Sequence, residues 1–160
     1  MYEAGSRATV ELPQGTIAYC ESGSGETIVF VHGLLVDGRV WRKVVPRLET
    51  SFRCLVPDLP LGSHLTPMNS DADLTPPGLA RLLADFLEAL ELDKVTIVAN
   101  DTGGAISQIL AANHPERIGR LVLTPCDAFE NFLPPMFRPL QYAARVPPLL
   151  TGAMQSMRLA

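Results

Sequence analysis

Two short stretches hold the residues that could do chemistry: Ala99-Asn-Asp-Thr-Gly103 and His32-Gly33-Leu34-Leu35. In the first, Asp101 stands between small residues two positions away on either side. A strand that turns abruptly into a helix brings the two backbones nearly into contact, so small flanks are needed and the central side chain is thrust into the open. A carboxylate there sits at a helix N-terminus, whose partial positive charge favours the anion, and an exposed ionised carboxylate is a competent nucleophile. The same residues also fit a plain helix cap, a role in which Asp is common. A phosphate-binding turn fits poorly, because Gly-x-Gly-x-x-Gly and Walker patterns are absent and the carboxylate would repel phosphate.

The second stretch supplies a partner for the first. In a nucleophile elbow one oxyanion donor is the amide after the nucleophile, here Thr102, and the other comes from the loop after an earlier strand, here Leu34. Each such donor contributes ~2.7–4 kcal/mol to a developing oxyanion. His32 and Gly33 are expected to support that loop, with His32 in a structural rather than a titrating role.

The elements that must position these residues follow from hydrophobic periodicity. Val10 and Leu12, then Ile17 and Tyr19, alternate with polar neighbours around Pro13-Gln14-Gly15, which predicts a hairpin. Thr27–Val31, Phe52–Val56, Val95–Ala99 and Leu121–Leu123 are unbroken apolar or β-branched runs, expected as strands buried on both faces. Trp41, Val44, Val45 and Leu48 fall at helical spacing and predict a short amphipathic helix. A longer helix is expected over Gly78–Leu90, with Leu79, Leu82, Leu83, Phe86, Leu87 and Leu90 in one stripe and Thr75-Pro76 as its start. Gly103–Asn113 predicts another helix, ended by Pro115. Strands alternating with helices imply a mostly parallel sheet, helices on both faces, with an N-terminal antiparallel hairpin: an α/β fold. Residues 1–124 read as the N-terminal part of that core. Residues 125–160 hold six of the 14 prolines among scattered Phe, Met and Leu and are expected to begin a cap over a pocket.

Composition narrows the function. Across 160 residues, 13 Lys+Arg against 17 Asp+Glu give a net charge of −4, so no nucleic-acid partner is expected. With 47% hydrophobic and 19% charged residues the chain has material for a packed core. No apolar run is long enough to cross a bilayer and no signal peptide is visible, so no membrane association is expected. Cys20, Cys54 and Cys126 are too few and too widely spaced for a metal site or a disulfide scaffold, which points to a cytoplasmic location. No metal and no cofactor is implied; the expected partner is a small-molecule substrate, and oligomeric state is not readable.

Taken together, Phe30-Val-His-Gly33, Trp41, Pro57-Asp58-Leu-Pro60, Val98-Ala-Asn-Asp-Thr-Gly-Gly104 and His114-Pro-Glu-Arg117 before Leu121-Val-Leu123 resemble the α/β-hydrolase fold family over about residues 8–130. Aspartate at the elbow resembles the branch of haloalkane dehalogenases, fluoroacetate dehalogenases and epoxide hydrolases. That resemblance implies attack by Asp101 on an electrophilic carbon to give an alkyl-enzyme ester. Water activated by a histidine then hydrolyses the ester, with the oxyanion held by the amides of Leu34 and Thr102. It further implies a carboxylate that orients the histidine, for which Asp127 occupies a corresponding place. Two positions depart from the haloalkane dehalogenases, which carry Trp where this chain has Thr102 and Asn where it has Leu34. The family's catalytic histidine follows the last strand, whereas the histidines here are His32, His64 and His114. The chain therefore reads as the N-terminal half of a hydrolase, truncated inside the cap. The competing expectation is a non-catalytic protein of the same fold that binds a small ligand or a partner.

Overall fold

In a computed structural model, residues 5–128 are described, together with Pro139 and Tyr142. The chain divides into units Met1–Ala128 and Phe129–Ala160. The cap expected over 125–160 thus lies almost wholly outside the described residues.

Six strands form one sheet: β1 (Ser6–Leu12), β2 (Gly15–Ser22), β3 (Thr27–Val31), β4 (Arg53–Pro57), β5 (Val95–Asp101) and β6 (Ile118–Cys126). Their spatial order is β1-β2-β4-β3-β5-β6. The hairpin β1–β2 is antiparallel, with Val10 opposite Ile17, and β2 meets β4 antiparallel. From β4 through β3 and β5 to β6 every pairing is parallel. The chain moves to one side of β3 to make β4, then crosses to the other side to make β5. The carboxyl ends of β3 and β5 therefore flank a point where strand order reverses, the place at which an open α/β sheet forms a crevice.

Helices cover both faces. Within residues 5–128, α1 (Val45–Leu48), α2 (Pro76–Ala89) and α3 (Thr102–Asn113) are the α-helices. The buried stripe of α2, including Leu82, Leu83, Phe86 and Leu87, packs with Ile106 and Leu110 of α3 on Ile17, Tyr19, Val29, Val31, Leu55 and Ile97. Tyr19 meets Phe86 edge-on with ring centroids 5.5 Å apart. On the opposite face Trp41 and Val45 pack against Cys20, Ile28, Phe30, Cys54 and Val56. Thr75 caps α2, its hydroxyl accepting from Gly78 N–H at 3.3 Å, with Pro76 in the first turn.

Two expectations are corrected. The helix expected around Trp41–Leu48 is a 3₁₀ turn over Gly38–Trp41 followed by the four-residue α1, because Pro46 has no N–H to continue a helix from the preceding turn. Leu121–Leu123 is part of a strand but is not buried on both faces: Val122 is 46% and Leu123 41% exposed. The cause is position, since β6 is the sheet's outer strand and pairs with β5 alone among the described residues.

Candidate active site

The end of β5 passes into α3 with no intervening residue, and the junction is Asp101 at φ 51°, ψ −137°. For a side chain with a Cβ this is a sparsely populated backbone region, of the kind found where a fold holds a functional group in place. Asp101 occupies the N-cap position of α3, yet its side chain makes no capping hydrogen bond. Among the described residues the carboxylate has no hydrogen-bond or ion-pair partner, and the residue is half-buried. The plain-cap alternative therefore lacks the bond that would define it.

What faces Asp101 is the end of β3. A Cβ built on Gly33 would fall on the Asp101 carboxylate, 2.7 Å from its Cγ. Gly33 thus leaves the space the carboxylate fills. A Cβ on Gly103 would likewise strike the carbonyls of Val31 and His32, so the first turn of α3 lies flush on β3. This close approach brings two main-chain donors to the same end of the sheet. Thr102 N–H is in the first turn of α3, where no intrahelical acceptor exists. Leu34 N–H donates to no backbone carbonyl among the described residues, whereas the next amide, Leu35 N–H, donates to Leu61 C=O at 2.8 Å.

His32 is fully buried and both ring nitrogens are engaged. Leu59 N–H donates to Nε2 at 3.0 Å, so in the neutral ring Nδ1 carries the proton and faces Gly33 C=O at 3.0 Å. Burial pushes the His32 pKa below its usual value, against the opposing pull of the Gly33 carbonyl, Asp58 and Asp37. Asp127 lies just past β6. Its N–H donates to Asp101 C=O at 3.3 Å, and its carboxylate accepts from Thr102 Oγ1 at 3.3 Å. Gln108 of α3 donates to Asp127 C=O at 3.4 Å and to Gly104 C=O at 3.2 Å. The structure therefore brings Asp101, Thr102, Gly33 and Asp127 to one junction, with His32 and Leu34 on the facing loop. His64 and His114 lie apart from it, His64 in the loop after β4 and His114 at the end of α3.

Sequence reasoning quoted Pro57-Asp58-Leu-Pro60 without giving it a role. Leu59 of that segment and Leu61 just after it hold the β3 loop, and Asp58 is 6% exposed with a buried Oδ1 that has no hydrogen-bond partner among the described residues. Burial pushes the Asp58 pKa up, partly offset by His32. The available signal was a strand ending in Pro-Asp-Leu-Pro just before Gly62. Among the described residues no cluster of three or more potential ligands could hold a metal ion.

The chain belongs to the alpha/beta hydrolase fold family, whose pattern matches residues 26–150. It is 33% identical over 151 residues to a haloalkane dehalogenase from Mesorhizobium japonicum, covering 90% of this chain and 48% of the relative. It is 35% identical over 106 residues to 2-hydroxymuconate semialdehyde hydrolase from a Pseudomonas species, covering 64% of this chain and 37% of the relative. An epoxide hydrolase from Vigna radiata superposes with a TM-score of 0.71 at 25% identity, covering 78% of this chain and 41% of that one. The chain thus spans about half the length of the dehalogenase and less of the other two. Among the described residues no helix is long and apolar enough to cross a membrane.

Proposed function

We propose that this chain carries the nucleophile half of a hydrolase that forms a covalent ester on Asp101. The observation that carries the reading is a carboxylate with no partner among the described residues, on a residue at φ 51° between β5 and α3, facing a glycine just past β3. An Asp101 oxygen attacks an electrophilic carbon of a small apolar substrate, such as an epoxide or an alkyl halide. A carbon–oxygen bond forms to the protein and the bond to the leaving atom breaks: a halide departs with the electron pair, whereas an epoxide oxygen keeps the pair, stays on the adjacent carbon and takes a proton from solvent. Water then attacks Cγ of the ester. The resulting oxyanion accepts from Leu34 N–H and Thr102 N–H, the alcohol leaves, and the carboxylate is restored.

A histidine beyond this chain activates that water, and Asp127, fixed by Thr102 Oγ1, orients it. His32 is unsuited to the task, because Nε2 accepts from Leu59 and Nδ1 faces Gly33 C=O. Cys20, Cys54 and Cys126 form no disulfide, which suits a reducing compartment and work in the cytoplasm on a small molecule.

Intact-mass spectrometry after incubation with a panel of epoxides and alkyl halides tests this reading. The expected result is one covalent adduct per chain, mapped to Asp101, that accumulates for want of the hydrolytic base and is absent from Asp101→Asn. No adduct across the panel would favour a hydrolase-fold protein that binds a ligand without chemistry.

A further inference from the structure

The proposed Leu34 donor sits on a loop that is tied to the loop after β4. Of the residues around it, His32 accepts from Leu59 N–H through Nε2, and Leu35 N–H donates to Leu61 C=O. These two bonds run in opposite directions between the loop after β3 and the loop after β4, so they fix both translation and twist of one loop against the other. Leu35 has φ 59°, a left-handed conformation unusual for a leucine, and its amide points at Leu61 from there. Gly62, next in the chain, has φ 104°, and a Cβ there would lie 2.9 Å from Leu35 Cδ2. The β4 loop is itself tied to the hairpin, through Asp58 N–H donating to Ala18 C=O at 2.8 Å.

From this we infer that the loop after β4 is a latch that positions the Leu34 amide, with Leu59, Leu61 and Gly62 as positioning residues and His32 as the latch acceptor. The inference rests on the reading of Leu34 as an oxyanion donor. Leu34 lies between the two latched residues, His32 and Leu35, with only Gly33 also in the interval. Any slippage of either bond therefore displaces its N–H relative to Asp101. A donor misplaced by about an ångström loses most of its effect on the reaction, on the order of 10²-fold.

The latch can be read without the absent histidine. Asp101 is first loaded with an epoxide, and the ester is then cleaved with hydroxylamine. The hydroxylamine nitrogen attacks Cγ, the oxyanion passes through the Leu34 and Thr102 amides, the ester carbon–oxygen bond breaks, and the alcohol leaves with a proton from nitrogen. The protein retains a hydroxamate. Ester formation drains charge from the oxygen that Leu34 N–H faces, whereas cleavage builds charge there, so in His32→Gln, His32→Ala and Gly62→Ala the readout is the rate of cleavage relative to the rate of ester formation in the same variant. That ratio is expected to fall about tenfold to a hundredfold in His32→Ala and Gly62→Ala. It is expected to recover in His32→Gln, whose side-chain oxygen still accepts from Leu59 N–H. Should His32→Ala fail to fold, Gly62→Ala alone decides the matter. An equal ratio in wild type and Gly62→Ala would overturn the latch while leaving Asp101 as the nucleophile. No ester on wild-type Asp101 with any epoxide would overturn both.

Discussion

Asp101 is held at φ 51°, ψ −137°, where a backbone with a Cβ is strained by about 1–3 kcal/mol. Replacement by glycine removes that strain and the nucleophile together, while adding about 0.4–1 kcal/mol of unfolded-state freedom. Asp101→Gly is therefore expected to be about 1 kcal/mol more stable than wild type in urea titration and to form no adduct, whereas Asp101→Asn keeps the strain and loses only the chemistry. A glycine variant no more stable than the asparagine variant would show that the elbow stores no strain. The reason Asp101 was legible in the sequence is that its requirements are local: small residues at 99 and 103 and a strand leading into a helix. His32 was legible as a loop-fixing residue but its partner was not. Leu59 is 27 positions away, on a loop brought alongside only by β3–β4 pairing.

Among the elements, α2 shows the clearest passage from sequence to structure. Its apolar stripe, its threonine cap and its first-turn proline agree with one another, and the helix begins where they say. Thr75→Ala removes the acceptor for Gly78 N–H and is expected to cost about 1 kcal/mol, read as a lower urea midpoint with an unchanged slope. Thr75→Ser should restore most of it; a Ser variant as weak as Ala would point to lost packing of the methyl group instead. Less was legible in α1, where helical spacing over Trp41–Leu48 was real but Pro46 divided it into two short turns. In β6 the residue types correctly marked a strand. Its exposure was unreadable, because burial depends on what lies beside a strand rather than on its own side chains.

For the molecule as a whole, three buried groups among the described residues, His32, Asp58 and Asp37, pull stability in different directions below neutral pH. Below pH 6.5 the unfolded chain takes a proton that folded His32 resists, so stability falls as the pH drops from there. Asp58 acts oppositely: its folded pKa is raised, so as the pH drops through it the folded state gains its proton first and stability is partly regained. Asp37 dominates at the acid end. Burial alone would raise its pKa, but Arg39 donates to it from the backbone at 2.9 Å and from Nε at 3.0 Å, holding it at about 2. Its contribution is complete above 3.8 and is lost as the pH falls through about 2. Asn at this position can still cap the Gly38–Trp41 turn but cannot pair with a guanidinium. Asp37→Asn is therefore expected to be about 1–2 kcal/mol less stable at pH 7, a figure reduced for screening because the Arg39 side chain is 68% exposed. The gap between variant and wild type should close as both approach pH 2. Urea titrations at intervals across that range check this, and a gap that stays constant would mean that Arg39 holds the charged form of Asp37 no more tightly than water does.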